Sequence, residues 1–199
     1  MKTTKNIFES IIVKGMLAGK VPARTEDARK WYRDTAKAIR NVNSAKLMGS
    51  DPDRLRTKVE VGNMFLFEYD PKMKDTLPYY DSMPLIFPVK LVKDGFYGIN
   101  LHYLPPFLRA KLMDGLYELK SNSRYDETTR IYMGYKLLKA AVKLRYFKPC
   151  LKMYLYSHVK SKFMYVNPSE WDIALFLPLA QFNKASNSKV WADSETRLR

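Results

Sequence analysis

Residues 58–104 hold the densest succession of β-branched and aromatic residues in the chain, punctuated by Gly, Pro, Asp and Asn, and this stretch limits the fold more than any other. Val59, Val61, Met64–Phe67 and Tyr69 predict a first strand, Pro84–Val92 a second and Phe96–Leu104 a third. Lys93-Asp94-Gly95 predicts a tight antiparallel hairpin, because Asp-Gly readily takes the positive φ values of a type I′ turn. Gly98, inside the third strand, predicts a bulge or a close backbone approach. Residues 70–82 are too long and too polar for a tight turn, so they form a loop that presents Lys72, Lys74, Tyr79 and Tyr80 together. Basic residues interleaved with aromatics suit base stacking or the covering of a protein partner; alternatively, the tyrosines fold back on the sheet.

With a fourth strand from Lys160–Val166, these segments predict an α+β chain. Its centre is expected to be a small, strongly bent antiparallel β-barrel of the Src-homology-3 type, decorated by several helices and flanked by extended termini. A chain of 199 residues can bury a sizeable core as one domain. Residues 1–57 read as an N-terminal helical arm and linker, 58–178 as the core of barrel and helices, and 179–199 as an extended C-terminal tail.

In the arm, Ile7, Phe8, Ile11, Ile12 and Met16 recur at helical spacing, interrupted by Glu9, Ser10 and Lys14. That pattern is neither a secretory signal nor a membrane span, which need longer unbroken apolar runs. A second helix is expected from a Thr25 cap to about Arg40, with Glu26 and Asp27 in its first turn. Ala28, Trp31, Thr35 and Ala38 or Ile39 lie on one face, and Arg29, Lys30, Arg33, Lys37 and Arg40 surround it as solvated or phosphate-contacting charges.

Beyond Pro105-Pro106, Leu108, Leu112, Leu116 and Leu119 predict one helix, and Ile131, Tyr135, Leu138 and Val142 another that starts near Asp126. A further helix is expected after Pro149, and Asn167-Pro168 opens a helical turn carrying Trp171, Leu175 and Phe176. Trp191 stands in a polar tail, where it either docks on another chain or closes on its own core.

Charge sets the class of partner. The chain has 35 Lys and Arg against 20 Asp and Glu, a net +15. From Arg130 to Lys162 there are nine basic residues and no acidic one, among them Lys136, Lys139 and Lys143 at helical spacing, then Arg145, Lys148 and Lys152. A one-signed run of this length calls for an anionic partner, either DNA phosphates or an acidic protein surface. A membrane surface is the weaker third option.

Catalytic constellations are not legible. The two histidines, His102 and His158, and the single Cys150 do not make a metal site of usual ligand count, so neither metal nor cofactor is expected. One cysteine also excludes an intrachain disulfide and suits a reducing cytoplasm. Cys150 and His158 have no third group to orient them, the glycines form no phosphate loop, and Glu68, Asp70 and Asp75 lack the spacing of a metal-dependent nuclease. The chain is expected not to be an enzyme.

Several phrases, FLFEYDPKMKDTLPYYDSMPLIFPVKL, GFYGINLHYLPPFLRAKLMDGLY, YFKPCLKMYL and PSEWDIALFLP, resemble a family of small basic proteins of large contractile-tailed phages. The resemblance implies a virion or assembly protein, made in the host cytoplasm, with other virion proteins as partners. The leading expectation is therefore a structural adaptor of the tail, baseplate or head–tail connector, held by its basic face and termini. The alternative is a protein that binds or protects the ends of packaged double-stranded DNA.

Overall fold

The computed structural model describes residues 6–21, 25–121, 134–140, 143 and 145–196. Asp126, Arg130, Ile131 and Val142 lie outside them. Three helices come first. Helix α1 (Ile7–Leu17) starts at Asn6, whose Oδ1 accepts the Glu9 N–H at 3.1 Å. Helix α2 (Glu26–Lys37) starts at the expected Thr25, whose hydroxyl accepts the Ala28 N–H at 3.1 Å. Helix α3 (Ser44–Gly49) follows.

The strands β1 (Leu55–Arg56), β2 (Met64–Leu66), β4 (Leu85–Val92), β5 (Gly95–Asn100), β6 (Leu151–Leu155) and β7 (Phe163–Val166) form an antiparallel sheet in the order β1-β7-β2-β4-β5-β6. Inside the long loop, β3 (Tyr80–Asp81) pairs with β8 (Phe182–Asn183). The remaining helices are α4 (Pro106–Ser121), α5 (134–140), α6 (Trp171–Phe176) and α7 (Asn187–Thr196). None of the described helices is long and apolar enough to cross a membrane.

The α+β class and the order of strands and helices along the central stretch follow the sequence pattern. Val92 pairs with Gly95 across the expected hairpin, but neither Lys93 nor Asp94 has positive φ, so the turn is not type I′. Gly95 is required for a different reason: a Cβ there would lie 2.0 Å from the Tyr154 carbonyl oxygen on β6. At Gly98 the expected close approach is present, with an added Cβ 3.0 Å from Ile86 Cδ1 and a register shift opposite it, between Pro88 and Lys90.

Alternation along the strands splits the core into two layers. Met64, Leu66, Leu85, Phe87 and Ile99 pack against the helices, while Phe65, Phe67, Ile86, Phe96, Tyr154 and Phe163 fill the other face with rings. The Phe96 and Phe163 rings lie 5.8 Å apart although their strands are three places apart in the sheet, about 14 Å in a flat one. The sheet is therefore rolled. Among the described residues, however, β1 and β6 remain outer strands with no ladder between them, so the expected closed barrel is not found. Aromatic rings fill the roll instead of hydrogen bonds closing it.

Two further expectations are corrected. Residues 151–155 form an edge strand, not a helix, because a 3-10 turn (Arg145–Cys150) containing Pro149 delivers them beside β5. The C-terminal segment is not an extended tail, since Asn187–Thr196 is a helix, whereas the N-terminal arm is helical as expected and docks on the core. Phe8, Ile11, Tyr32, Ala36 and Leu47 belong to the same core cluster as the sheet, and so does Val190 of α7. At the centre of that cluster lies α6, every residue buried. Its entry is built as the sequence predicts: Asn167 caps, Pro168 follows, and the Glu170 carboxylate accepts the Asn167 N–H at 3.2 Å.

Candidate nucleic-acid interface

Helix α5 presents Lys136 and Lys139 at solvent-exposed positions, and Lys143 continues the same stripe at i+7. The adjoining face of the helix is held down. Leu138 is buried, and the Tyr135 hydroxyl donates to the Val89 carbonyl on β4 at 3.1 Å. Between this helix and the edge of the sheet runs a cleft of about 740 Å³. Val89, Tyr97, Ala140 and Leu151 make its floor, and Lys90, Lys136, Lys139 and Lys143 contribute four ammonium groups with no carboxylate among the described lining residues. A described lining of one sign focuses positive potential into the cleft, so the cleft suits a polyanion.

A second cavity, of about 320 Å³, lies between the 70–82 loop and β6. Tyr69, Tyr79, Tyr80, Tyr103 and Tyr154 line it, with Lys72 and Lys152. The loop residues expected to act together do meet here, apart from Lys74, which pairs with Asp70 at 2.9 Å. Tyr79 packs edge-on against Phe182 and tilts against Tyr103. Lys152 belongs to this cavity and not to the α5 stripe, its ammonium 4.2 Å from the centre of the Tyr103 ring.

Below the tyrosines sits a buried polar network. Asp81 Oδ2 lies 2.7 Å from His102 Nδ1 and accepts from the Asn100 carboxamide at 3.0 Å; that carboxamide also donates to the Tyr154 hydroxyl at 3.1 Å. Burial alone would raise the Asp81 pKa, but the charge of His102 and the hydrogen bonds from His102, Asn100 and the Met83 N–H hold it below the ordinary value. Burial pushes the Tyr154 and Tyr103 hydroxyls upward, which keeps them neutral. The Asp-His pair has the look of a base with its orienting acid, yet among the described residues His102 Nε2 is buried with no hydrogen-bond partner. No nucleophile is within its reach there, and its role is to fix the loop to the end of β5.

Much of the remaining positive charge is used by the fold. Arg33 donates to Asp172 at 2.6 Å and to Asp114 at 2.7 Å, and Arg29 donates to Asp114 at 3.1 Å, so the two α2 arginines bind carboxylates rather than phosphates or water. Arg54 bridges Asp51 and Glu170. Arg109 is buried and donates to the carbonyls of Leu104, Leu175 and His102; burial brings its pKa down to about 10. Trp191 closes on its own chain, its indole N–H donating to the His102 carbonyl at 2.9 Å and its ring 5.3 Å from the Arg109 guanidinium. Of the two readings of Trp191, the contact with its own core is thus present.

Lys148 is exposed in the turn that Arg145 opens. Lys90 is not among the cations that the sequence pattern singles out, although it is the one charged residue of an otherwise apolar strand and that isolation was the available signal. Nothing local marks Asp81 and His102 as partners.

The family described as phage T4 terminal DNA protecting protein matches residues 4–194, a span that includes both cavities. No curated protein and no solved structure matches the chain.

Proposed function

Since the chain belongs to the family of phage T4 terminal DNA protecting proteins, we propose that it binds the ends of linear double-stranded DNA and shields them without cutting them. The observation that carries this reading is the cleft of Lys90, Lys136, Lys139 and Lys143, whose single sign and exposed ammonium groups suit a phosphate backbone. Such contacts hold DNA irrespective of sequence, as an end-binding protein requires. Of the two placements the sequence leaves open, the family favours the DNA end over the tail or baseplate.

The test is competition. Fluorescent linear duplex bound to the protein is challenged with unlabelled linear DNA or with covalently closed circles of the same sequence. Linear DNA is expected to compete far better, and bound duplex is expected to resist an exonuclease. Equal competition by circles would leave a general DNA-binding protein and overturn end recognition.

A structural role inside the particle is the second reading. Val13, Met16 and Leu17 are exposed on one end of α1, an apolar surface available to a neighbouring virion protein. Detection of the protein in purified virions, at a fixed copy number, would support it.

A further inference from the structure

The lysine cleft accounts for duplex binding but leaves the tyrosine cavity without a use. The two share one strand: Leu151, at the start of β6, lines the cleft, and Lys152, the next residue, lines the cavity. Adjacent Cα atoms are about 3.8 Å apart, so a nucleic-acid strand that leaves the cleft needs to cross only the sheet edge to reach the tyrosines.

The chemistry of the cavity is that of a stacking site. Of its rings Tyr79 and Tyr80 are the half-exposed ones, aromatic surface that a base can reach, and Lys72 and Lys152 stand with them where a phosphate needs neutralising. Met73 and Met153 are exposed beside the rings, flexible thioethers that can close over a guest. A volume of about 320 Å³ is at the small end of ligand cavities, enough for a nucleotide and not for a duplex about two grooves across. The polar floor is already committed: Asp81, Asn100 and Tyr154 are hydrogen-bonded to one another or to His102. A base held there would be stacked rather than read by its edges.

We infer that this cavity receives an unpaired terminal nucleotide of the DNA whose duplex lies in the lysine cleft, an inference that rests on the end-binding reading above. The pocket would thereby recognise a feature that the interior of a duplex lacks, a base free of its partner. Recognition is independent of base identity.

The experiment compares a blunt duplex with the same duplex bearing a short single-stranded tail, the terminal tail base replaced by 5-iodouracil for photocrosslinking. The tailed duplex is expected to bind roughly five- to hundredfold more tightly, the range of one stacked base. The crosslink is expected in the peptides that hold Tyr79 and Tyr80 or Met153 and Tyr154. Lys72→Glu, at an exposed loop position, and Tyr80→Ala are each expected to reduce the preference for the tail while leaving blunt-duplex affinity within about twofold. Equal affinity for blunt and tailed DNA, or crosslinks confined to α5 and β4, would overturn the pocket while linear DNA still outcompeted circles. Circles competing as well as linear DNA would instead overturn the end-binding reading, and the pocket with it.

Discussion

Asp81 and His102 face each other at 2.7 Å, each side chain 1% exposed, and their contact ties the strand that leaves the tyrosine loop to the turn that follows β5. The pair is 21 residues apart in sequence, yet it sets the floor of the cavity through Asn100 and Tyr154. Its consequences for stability are directly testable.

Asp81 has a lowered pKa, so its carboxylate stabilises the fold at pH values above the unfolded-state value of about 3.9. That contribution is lost as pH falls through the lower folded value. Urea unfolding followed across the acid range should show stability dropping below about pH 4 in the natural protein, with a flatter acid limb in Asp81→Asn. At neutral pH the variant should be less stable by about 1–3 kcal/mol, because an amide has one acceptor oxygen where the carboxylate has two, and buried donors from Asn100, His102 or the Met83 and Gln181 N–H groups lose their partner. Identical acid limbs would mean that the pair does not govern acid stability.

The α5 stripe predicts a salt effect. Lys136→Glu, Lys139→Glu, Lys143→Glu should weaken duplex binding and flatten the plot of log affinity against log salt by about 0.9 for each phosphate that is no longer neutralised. Titration at several salt concentrations reads this directly. An unchanged slope would assign the stripe to an acidic protein neighbour.

Cations of the fold and cations of the cleft should separate. Arg33→Met leaves the buried Asp172 carboxylate uncompensated and should cost about 3–5 kcal/mol in urea unfolding. Lys139→Glu, on an exposed position, should change stability by only about 0.5 kcal/mol while reducing DNA affinity. The reverse pattern would place the DNA contact on α2.

Gly95→Ala should destabilise by about 1–3 kcal/mol, since its Cβ would meet the Tyr154 carbonyl and push β6 from β5. Gly49→Ala, with no described atom within 4 Å of the added carbon, is the neutral control. Thermal melts of the two compare them, and a neutral Gly95→Ala would mean that β6 is loosely held.

Cys150 is fully buried, and burial pushes its thiol up to about 12. It should stay unreactive toward a thiol reagent in the native protein and react completely in denaturant. Fast native labelling would show that the turn before β6 opens.

Much of the central fold is legible in the sequence. The strand β4 and the place of its hairpin with β5 follow from the β-branched and aromatic run and the break at Lys93-Asp94, although the turn is not the type I′ that Asp-Gly predicts, and the caps at Thr25 and Asn167 follow from their short polar side chains. The strand β6 is not legible, because Leu151–Leu155 is a short apolar run that fits a helix or a strand equally. Pairing of Lys152 with Gly98 decides it. That same pairing carries Lys152 away from the α5 lysines, with which sequence proximity groups it, and gives it to the tyrosine cavity.

By itself the sequence determined the excess of positive charge, the one-signed run from Arg130 to Lys162, the helical stripe of Lys136, Lys139 and Lys143, and the meeting of Lys72, Tyr79 and Tyr80 on one loop. The stripe depends on residues within a turn or two of each other, where spacing alone fixes geometry, and the others on counting residues along the chain. Only the tertiary structure decided which cations remain available to a partner, because Arg33 finds Asp114 and Asp172 across 81 and 139 residues of chain. Burying a charge requires a counter-charge at hydrogen-bonding distance, and no local pattern reports where the fold will bring one.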